Sequence, residues 1–419
     1  MVSIIKFCSL LVVFVNYVTA SGFVTTSGTQ FVLDGCPFAF VGGNTYYTIM
    51  EDLFQDSKQA TDNIIALYRA KGLKVLRLNT MYDASTKTSS NPWFQNLTDG
   101  TAAVYNDGPT GLGLLDYVVY AAGQNNIKVV ISLVNNWQAG GGMNLYVATQ
   151  NGVYHDEFYT STVLQGLYKS WVNHLLTRVN TYNNVAYNAD PTIMLWELAN
   201  EPRCLGNTLP ASPTCGVQTI ITWATTMSAY VKSIAPNQLV SLGDEGFYHN
   251  NSAVSTSYPF TANEGIDFDA TLAIPTIDAG SIHTYPEGWR VPTPYDAWGN
   301  LWYNAHQASC VAANKPCYVG EYGITLASGL RDEVYTSWDA TWEVNKMANL
   351  VWMINGNVSW GPFPDSDGFE LYVTDSDWNT EIGNVASNMN GIINQCLGTS
   401  SGATSTTTTT TKQASTATS

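Results

Sequence analysis

Apolar and β-branched residues are gathered along this chain into short runs, and longer segments between them repeat apolar residues every three or four positions. The short runs are typical of strands, and the longer spacing is typical of one face of a helix. The strand-like runs cover residues 38–41, 75–78, 127–134, 192–198, 238–242, 280–283, 317–319 and 357–360. The helical spacing is clearest over 112–122 and 163–179, and further helix-like segments begin near residues 59, 217, 295, 330 and 381.

Eight strand-like runs, each followed by a helix-like segment, predict an α/β fold with a single (β/α)8 TIM barrel. The two-residue alternation is weak inside the longer runs, as expected for strands that are buried on both faces. Two doubly wound domains are the alternative arrangement of the same elements.

Both ends of the chain depart from this pattern. Residues 1–20 combine Lys6 with an apolar stretch over 7–18 and small residues up to Ala20, which predicts a secretory signal peptide. The apolar stretch is too short for a good membrane span. Residues 399–419 consist largely of Ser, Thr, Gly and Ala, so we expect a disordered tail that serves as a stalk or linker. We therefore expect a secreted protein whose barrel occupies residues 21–398.

The cysteines support an extracellular protein. Removal of the signal peptide takes Cys8 with it and leaves an even number of cysteines, which favours disulfides in a secreted chain. Free buried thiols are the alternative, and six cysteines allow fifteen pairings. The short separations favour Cys204–Cys215 and Cys310–Cys317, which leaves Cys36–Cys396 to join the two ends of the barrel.

Charge and composition narrow the choice of partners. The formal net charge of −16 argues against nucleic acid and anionic membranes, whereas a neutral polymer remains compatible. The 13 Trp, 24 Tyr and 14 Phe residues supply rings that can pack on sugars, although such rings also fill cores. Sequons for N-glycosylation begin at Asn96, Asn250 and Asn357. We expect a monomer.

Two of the strand-like runs end at a glutamate. Run 192–198 leads into Asn200-Glu201-Pro202, and run 317–319 leads into Gly320-Glu321. Hydrolysis of a glycosidic bond uses two such carboxyl groups: one protonates the leaving oxygen, and the other attacks or stabilises the sugar cation. The alternative interpretation is turn chemistry at both positions. Glu197 lies on the same strand face as Glu201 but deeper, so we expect it to be structural.

Other strand ends carry residues that suit a sugar-binding site. Reacting groups in barrel enzymes lie at the carboxyl ends of the strands. Those ends present Arg77, Asn136, Trp137, Asn200, Glu245, His283, Tyr285 and Trp360. Arg77 could keep a neighbouring carboxylate ionised, and Asn200 could hold a sugar hydroxyl. The alternative for His283 is a core histidine, and most tryptophans of a barrel are core residues.

Motifs for other chemistries are missing from the sequence. It contains no Gly-x-Ser-x-Gly elbow, no His-Glu-x-x-His, no phosphate-binding glycine loop and no Cys-x-x-Cys pair. His155-Asp156-Glu157 is best interpreted as a solvated polar turn, because adjacent residues rarely converge on one ion. We therefore expect neither a metal nor a cofactor.

These motifs together resemble glycoside hydrolase family 5, and within it the endo-β-1,4-mannanases of fungi and plants. The resemblance covers nearly all of residues 23–396. It is carried by Trp196-Glu-Leu-Ala-Asn-Glu-Pro-Arg-Cys204, Asn135-Asn-Trp137, Ile282-His-Thr-Tyr-Pro286, Glu321-Tyr-Gly323 and the stretch from Trp360 to Phe369. The chain departs from the family after Trp360, where Gly-Pro-Phe-Pro replaces the common Gln-Tyr-Gly, and between Asn136 and Gly141, where acidic residues are missing.

The resemblance implies roles for the candidate residues. Glu201 would be the acid/base and Glu321 the nucleophile of a retaining double displacement. The subsite of the covalent sugar would be lined by Arg77, Asn200, His283, Tyr285 and Trp360, and neighbouring sugars would contact Trp137, Arg203 and Glu245. The expected substrate is a mannan, galactomannan or glucomannan. The alternatives are a β-1,4- or β-1,3-glucanase of the same family and a non-catalytic protein that binds cell-wall carbohydrate.

Overall fold

The computed structural model describes residues 22–49, 57–79, 82–84, 93–97, 100–358, 361–363 and 367–401. The predicted signal peptide and residues 402–419 of the predicted tail lie outside this part of the chain. The last described helix continues to Ser401, beyond the expected end of the barrel at residue 398.

Eight parallel strands form the central sheet. They are β1 Val41–Asn44, β2 Val75–Asn79, β3 Lys128–Ser132, β4 Ile193–Glu197, β5 Leu239–Ser241, β6 Gly280–Thr284, β7 Cys317–Tyr322 and β8 Ala348–Val351. Their order in the sheet is β5-β4-β3-β2-β1-β8-β7-β6, so strands that follow one another in the chain are neighbours. Backbone hydrogen bonds join the two ends of this order: His283 N donates to Glu245 O at 3.0 Å, and Asp278 N donates to Val240 O at 2.8 Å. The sheet is therefore closed into a barrel.

A helix follows each strand of the barrel. The helices are α1 Ser57–Lys71, α2 Leu112–Gln124, α3 Thr162–Thr177, α4 Val217–Ile234, α5 Phe268–Leu272, α6 Tyr295–Ala313, α7 Arg331–Asn345 and α8 Asn384–Ser401. The prediction of a single (β/α)8 barrel is confirmed, and the alternative of two doubly wound domains is wrong.

Shorter elements decorate the ends of the barrel. The connection between β3 and α3 contains the helices Gly142–Thr149 and Glu157–Thr160. Small sheets pair Asp83–Ala84 with Gln95–Asn96 and Val104–Tyr105, Ile354–Asn355 with Leu371–Tyr372, and Asn357–Val358 with Gly361–Pro362. Single turns of 3-10 helix occupy Tyr46–Ile49, Tyr187–Ala189, Tyr258–Phe260 and Leu326–Ser328, and a π-helical turn occupies Asn379–Gly383.

The sequence misplaces the eighth strand of the barrel. The described part of the expected run over 357–360 is Asn357–Val358, which pairs antiparallel with Gly361–Pro362 outside the barrel. The barrel is completed instead by β8, which is buried and pairs with β7 and β1. The closure of the ring, a long-range property, identifies β8 as the eighth strand.

The first strand also lies later than its apolar run at 38–41 suggests. Phe38 and Phe40 do not line the sheet as strand residues but pack with Phe31 under the barrel, against interior residues such as Tyr318 and Leu350. The strand itself contains Gly42, where a Cβ atom would lie 1.8 Å from the carbonyl oxygen of Val75. Only glycine permits this close approach of neighbouring strands, and it carries no apolar signal. The strands Thr25–Ser27, Gln30–Leu33 and Cys36–Pro37 pair as a small antiparallel sheet, which we call the amino-terminal hairpin. It closes one end of the barrel.

Three disulfides link Cys36 to Cys396, Cys204 to Cys215, and Cys310 to Cys317. The predicted pairing is confirmed, and the first pair ties the amino-terminal hairpin to α8. Among the described residues, every helix is too short or too polar to cross a lipid bilayer.

The three sequons differ in exposure. Asn96 is buried, at 1% of its possible accessible surface. Asn250 and Asn357 are exposed. A glycan at Asn96 is incompatible with this fold, whereas Asn357, although it lies in a strand, presents its side chain to solvent.

Candidate active site

A cavity of about 560 Å3 opens at the carboxyl ends of the barrel strands. Six of the residues expected from the sequence line it: Trp137, Asn200, Glu201, Arg203, Tyr285 and Glu321. These residues lie within or directly after β3, β4, β6 and β7. Because the strands are parallel, residues that are far apart in the sequence meet at the same rim of the barrel. We call this cavity the cleft.

Glu201 and Glu321 face each other in the cleft. One carboxylate oxygen of each lies, with a ring nitrogen of His283, in a group whose atoms are all within 4.8 Å of one another. The side chain of Glu201 is 14% exposed and that of Glu321 is 6% exposed. The two carboxyl groups therefore share one site but differ in their access to solvent.

The backbone of Glu201 adopts an unusual conformation. Its φ angle is +51°, in the left-handed region that side chains other than glycine rarely adopt. Its amide donates to Gly243 O at 2.8 Å, and Asn200 N donates to Val134 O at 2.7 Å, so neighbouring strand ends hold this turn. A residue that its neighbours hold in a strained backbone conformation is typical of functional sites. The conformation aims the carboxylate at the cleft, where Trp137 Nε1 donates to it at 2.5 Å.

Arg77 connects Glu321 to the interior of the barrel. Its Nη1 lies 2.5 Å from Glu321 Oε1 and 2.8 Å from Asn44 Oδ1. Its Nη2 donates to Asn200 Oδ1 at 2.7 Å and, with Nε, to the carboxylate of Glu197 at 2.8 and 3.0 Å. The guanidinium is fully buried. It is therefore a permanent charge that serves two carboxylates at once.

Glu197 has no contact with the cleft. Arg77, Ser132 and Tyr318 all donate to its carboxylate, and it is fully buried. Burial favours the neutral acid, but Arg77 and the other donors outweigh this effect and lower the pKa of Glu197. A carboxylate that is saturated with donors and closed to solvent fits the structural role expected of it.

Glu321 has a different balance of donors and burial. Tyr285 Oη donates to its Oε2 at 2.7 Å. Burial raises its pKa, against the lowering effects of His283, Arg77 and Tyr285. Two donors hold this carboxylate in a fixed orientation, while it still lines the cleft.

His283 lies between the two glutamates. Its Nδ1 is 2.8 Å from Glu201 Oε1 and 3.7 Å from Glu321 Oε2. Burial lowers the pKa of His283, and the neighbouring carboxylate of Glu321 opposes this effect. The ring is fully buried under the carboxylates and positions Glu201 by a hydrogen bond.

Two expected residues, Arg203 and Glu245, lie beside and beneath Trp137. The Arg203 guanidinium lies 5.2 Å from the centre of the Trp137 ring and 4.9 Å from that of Phe247. Arg203 also forms an ion pair with Glu245, which is fully buried and does not line the cleft. Burial raises the pKa of Glu245 to about 7, against the lowering effect of Arg203. Glu245 therefore holds Arg203 in place and is not positioned to contact a sugar directly.

Asn136 is likewise beneath the cleft. It is fully buried, and its amide bonds to His155 Nε2, Arg203 N and Leu205 O. This position does not fit the expected substrate contact; the neighbouring Asn135 lines the cleft instead. The sequence alone does not distinguish two adjacent asparagines at a strand end.

The interpretation of residues 155–157 as a solvated turn is wrong. His155 is fully buried and bonded to Asn144 and Asn136, and Asp156 is buried and accepts from Ser212 N at 2.6 Å. Burial lowers the pKa of His155 to about 4, so this histidine is a neutral hydrogen-bonding element under the cleft. Its polar neighbours come from other loops, which a local motif does not show.

Further residues line the cleft beyond those that were expected to contact substrate. They are Tyr46, Tyr82, Asn135, Trp289, Trp352, Asp367 and Phe369. Trp352 directly follows β8, its ring stacks 5.8 Å from that of Tyr46, and its Nε1 donates to Asp367 Oδ2 at 2.9 Å. Correct placement of the eighth strand would have found Trp352, since it takes the strand-end position. Trp360, the residue expected there, lies outside the described residues.

A closed parallel barrel with two facing carboxylates at its carboxyl-terminal rim, one tied to a buried arginine, defines a (β/α)8-barrel glycoside hydrolase. Comparison with known proteins agrees with this class. Residues 21–324 match the family described as GH family 5 beta-mannosidase-like. The chain belongs to this family, as its motifs predict.

Named relatives cover most of the chain. It is 36% identical to mannan endo-1,4-beta-mannosidase A of Aspergillus aculeatus over 361 residues, which are 85% of this chain and 88% of that protein. It is 37% identical to the probable mannan endo-1,4-beta-mannosidase A of Aspergillus oryzae over 85% of this chain and 86% of that protein. The crystal structure of an endo-1,4-beta-mannanase from Rhizomucor miehei matches with a TM-score of 0.80 at 37% identity, covering 88% of this chain and 99% of that one.

Proposed function

We propose that the protein is a secreted endo-β-1,4-mannosidase that hydrolyses internal bonds of mannan-type polysaccharides with retention of configuration. The observation that carries this proposal is the pair Glu201 and Glu321, whose nearest oxygens lie within 4.8 Å in an open cleft. Relatives named as mannan endo-1,4-beta-mannosidases support the choice of substrate.

The separation of the carboxyl groups favours retention. Retaining glycosidases hold their two carboxyl groups roughly 5–5.5 Å apart, whereas inverting enzymes leave about 6.5–9.5 Å for a water molecule. Oxygens within 4.8 Å of each other fit the shorter spacing. A direct attack by one carboxylate on the sugar is therefore the better match.

In the first step Glu321 attacks the anomeric carbon, and Glu201 gives its proton to the leaving glycosidic oxygen. Arg77 and Tyr285 contact the attacking carboxylate at 2.5 and 2.7 Å. These contacts restrict the carboxylate to orientations close to the one that attack requires. The step leaves a glycosyl ester on Glu321 and releases the other part of the polysaccharide.

In the second step Glu201, now ionised, takes a proton from water, which attacks the same anomeric carbon and frees Glu321. Two inversions give net retention. Trp137 and His283 both contact Glu201, so its carboxyl group keeps one position while it changes from acid to base.

Aromatic side chains from different strands offer surfaces for several sugars. Trp137 follows β3, whereas Trp352 follows β8 and stacks on Tyr46, which follows β1. Rings on separate parts of the rim suit a substrate that continues on both sides of the cleaved bond. This arrangement supports cleavage inside a chain.

Secretion is supported by the three disulfides, which persist in oxidising compartments. The signal-like segment at residues 1–20 agrees with the same location. Expression of the complete chain in a eukaryotic host, with amino-terminal sequencing of the medium protein, tests this part. We expect a mature chain that begins at or near residue 21; protein retained in the cell with residues 1–20 attached would contradict it.

Release of reducing ends from mannan, galactomannan, soluble cellulose and β-1,3-glucan, with one preparation, tests the substrate. We expect mannans to be cleaved much faster than either glucan; the reverse order would point to the glucanase alternative. Glu321→Gln should abolish hydrolysis of mannan and leave its binding intact. If the wild type bound mannan without any hydrolysis, the non-catalytic alternative would apply.

The stereochemical outcome has its own test. Proton NMR of the first products from a mannan oligosaccharide shows which anomer is formed before mutarotation. We expect the β anomer; an initial α anomer would rule out the double displacement.

A further inference from the structure

A second group of carboxylates lies outside the cleft, where the start of α7 meets the segment that precedes α8. Asp332 belongs to the first turn of α7, and Glu381 belongs to the π-helical turn Asn379–Gly383, which Asp377 precedes. One oxygen from each of the three side chains lies within 4.8 Å of the other two. Like charges at this spacing repel one another unless a cation or bound protons neutralise them.

Glu381 is the unusual member of this acidic cluster. Its side chain is fully buried, and neither of its oxygens has a hydrogen-bond partner among the described residues. A buried carboxylate without donors is costly, so such a group in a native fold calls for a ligand or a proton. Its proximity to the oxygens of Asp332 and Asp377 directs it into the cluster.

The arginine that forms an ion pair with Glu381 does not donate a hydrogen bond to it. Arg331 Nε lies 3.6 Å from Glu381 Oε1, beyond hydrogen-bonding distance, and donates to Ile324 O at 2.9 Å. Its Nη1 and Nη2 donate to the carbonyl oxygens of Glu370 and Gly368. The guanidinium offsets part of the negative charge but leaves the lone pairs of Glu381 available.

We propose that Asp332, Asp377 and Glu381 bind a hard divalent cation, with Ca²⁺ the best fit. Calcium takes six to eight oxygen ligands at about 2.3–2.6 Å, so ligand oxygens around one ion lie up to about 5 Å apart. The spacing of these three oxygens falls within that limit. Asp332 is exposed and Asp377 is half-buried, which leaves a path from solvent and room for water ligands.

The ion ties α7 to the segment between β8 and α8. Part of this segment forms the cleft wall, because Asp367 and Phe369 line the cleft and Asp367 accepts from Trp352 Nε1. Arg331, next to Asp332, holds the carbonyls of Gly368 and Glu370 in the same segment. The cation is structural and separate from Glu201 and Glu321, so the inference does not depend on the proposed function.

Thermal unfolding of the complete protein tests the proposal. The protein is stripped with EDTA, dialysed, and unfolded at pH 8 with 10 mM CaCl2, 10 mM MgCl2 or NaCl of matched ionic strength. We expect CaCl2 to raise Tm by roughly 2–4 °C, and by more than MgCl2 does.

Two variants separate a specific site from general screening of an acidic protein. The double variant Asp332→Asn with Asp377→Asn should lose the response to CaCl2, and its ion-free form should unfold at a higher Tm than the ion-free wild type because repulsion is removed. Glu333→Gln is the matched control: it removes one exposed negative charge from the same turn of α7, outside the cluster, and should keep the full response.

Calorimetric titration with CaCl2 gives a second readout. Wild type and Glu333→Gln should show one saturable site that the double variant lacks. The proposal is overturned if wild type shows no saturable calcium binding at pH 8, or if the double variant responds as wild type does. Mannan hydrolysis measured on the same ion-free samples reports separately on the proposed function.

Discussion

Arg77 Nη1 lies 2.5 Å from Glu321 Oε1, and this contact joins a fully buried arginine to a carboxylate of the cleft. The rest of the guanidinium is occupied by Glu197, Asn44 and Asn200. A buried arginine with all its partners in place cannot turn away from Glu321. The buried network around Arg77 therefore helps to set the orientation of the proposed nucleophile.

Replacement of Arg77 by lysine keeps a charge but loses the planar fork that serves two carboxylates. We expect kcat on mannan to fall by about 100- to 1,000-fold, as for the loss of one preorganised donor at a reacting group. Because Arg77 lowers the pKa of Glu321, the acid limb of the kcat/KM profile should move to higher pH. The measurement is a pH–rate profile on a soluble mannan.

Arg178→Lys is a matched control for this variant. Arg178 also forms an ion pair with an aspartate, Asp116, at 2.8 Å, but it lies outside the cleft. Its loss should lower stability without moving the pH profile. Equal profiles for Arg77→Lys and wild type would contradict the role assigned to Arg77.

Tyr285→Phe removes the hydroxyl that donates to Glu321 Oε2 at 2.7 Å. A hydrogen bond to a charged group contributes roughly 1.5–3 kcal/mol, which corresponds to a decrease of about 10- to 100-fold in kcat. KM should change little, because the ring itself remains in the cleft. Steady-state kinetics with circular dichroism to verify folding checks this; a change in KM alone would assign Tyr285 to sugar binding.

Asp244 makes stability depend on pH. Burial raises its pKa to about 8, with Glu245 adding to the effect, whereas the unfolded chain has a value near 3.8. The folded state thus holds a proton that the unfolded state lacks between about pH 4 and pH 8, and stability falls as pH rises through this range. The slope from this group approaches about 1.4 kcal/mol per pH unit.

Asp244→Asn removes this contribution. Measured by urea unfolding at pH 5 and pH 8, its free energy of unfolding should decrease less than that of wild type as the pH is raised. The same dependence in both proteins would show that Asp244 is ionised in the folded state.

The disulfide Cys36–Cys396 closes a loop of 360 residues, whereas Cys310–Cys317 closes one of 7. Because loop closure restrains the unfolded chain more when the loop is long, Cys36→Ala with Cys396→Ala should lower the free energy of unfolding by roughly 2–5 kcal/mol. Cys310→Ala with Cys317→Ala, the matched pair, should lower it by less. Denaturant unfolding of both variants gives the comparison, and an equal or larger loss for the short loop would contradict the argument.

The positions of the strands that carry Glu201 and Glu321 were predictable. Each glutamate follows a continuous apolar run that ends at turn residues, and these signals are local in the sequence. The third and sixth strands were equally clear, so Trp137 and His283 were placed at the cleft or next to it. The eighth strand was misplaced, and its pairing with β1 and β7 in the closed barrel is what identifies β8.

Burial was the main quantity that the sequence did not provide. Asn135 and Asn136 are neighbours, yet one lines the cleft and the other lies beneath it with its amide fully bonded. Glu245 is at a strand end but is buried under Arg203. The depth of a side chain below a barrel rim depends on the register of the strands and on the loops that cover it.

The sequence by itself determined the fold class and the two glutamates at strand ends, because both depend on residue type and spacing along the chain. It favoured the disulfide pairing that the structure shows, without excluding the other pairings. Tertiary structure alone decided that Trp352 shapes the cleft, that Arg77 is shared by Glu197 and Glu321, and that Asp332 meets Glu381. These are contacts between segments distant in sequence. They arise from the closure of the barrel and the packing of its loops, and no local pattern of residues encodes those distances.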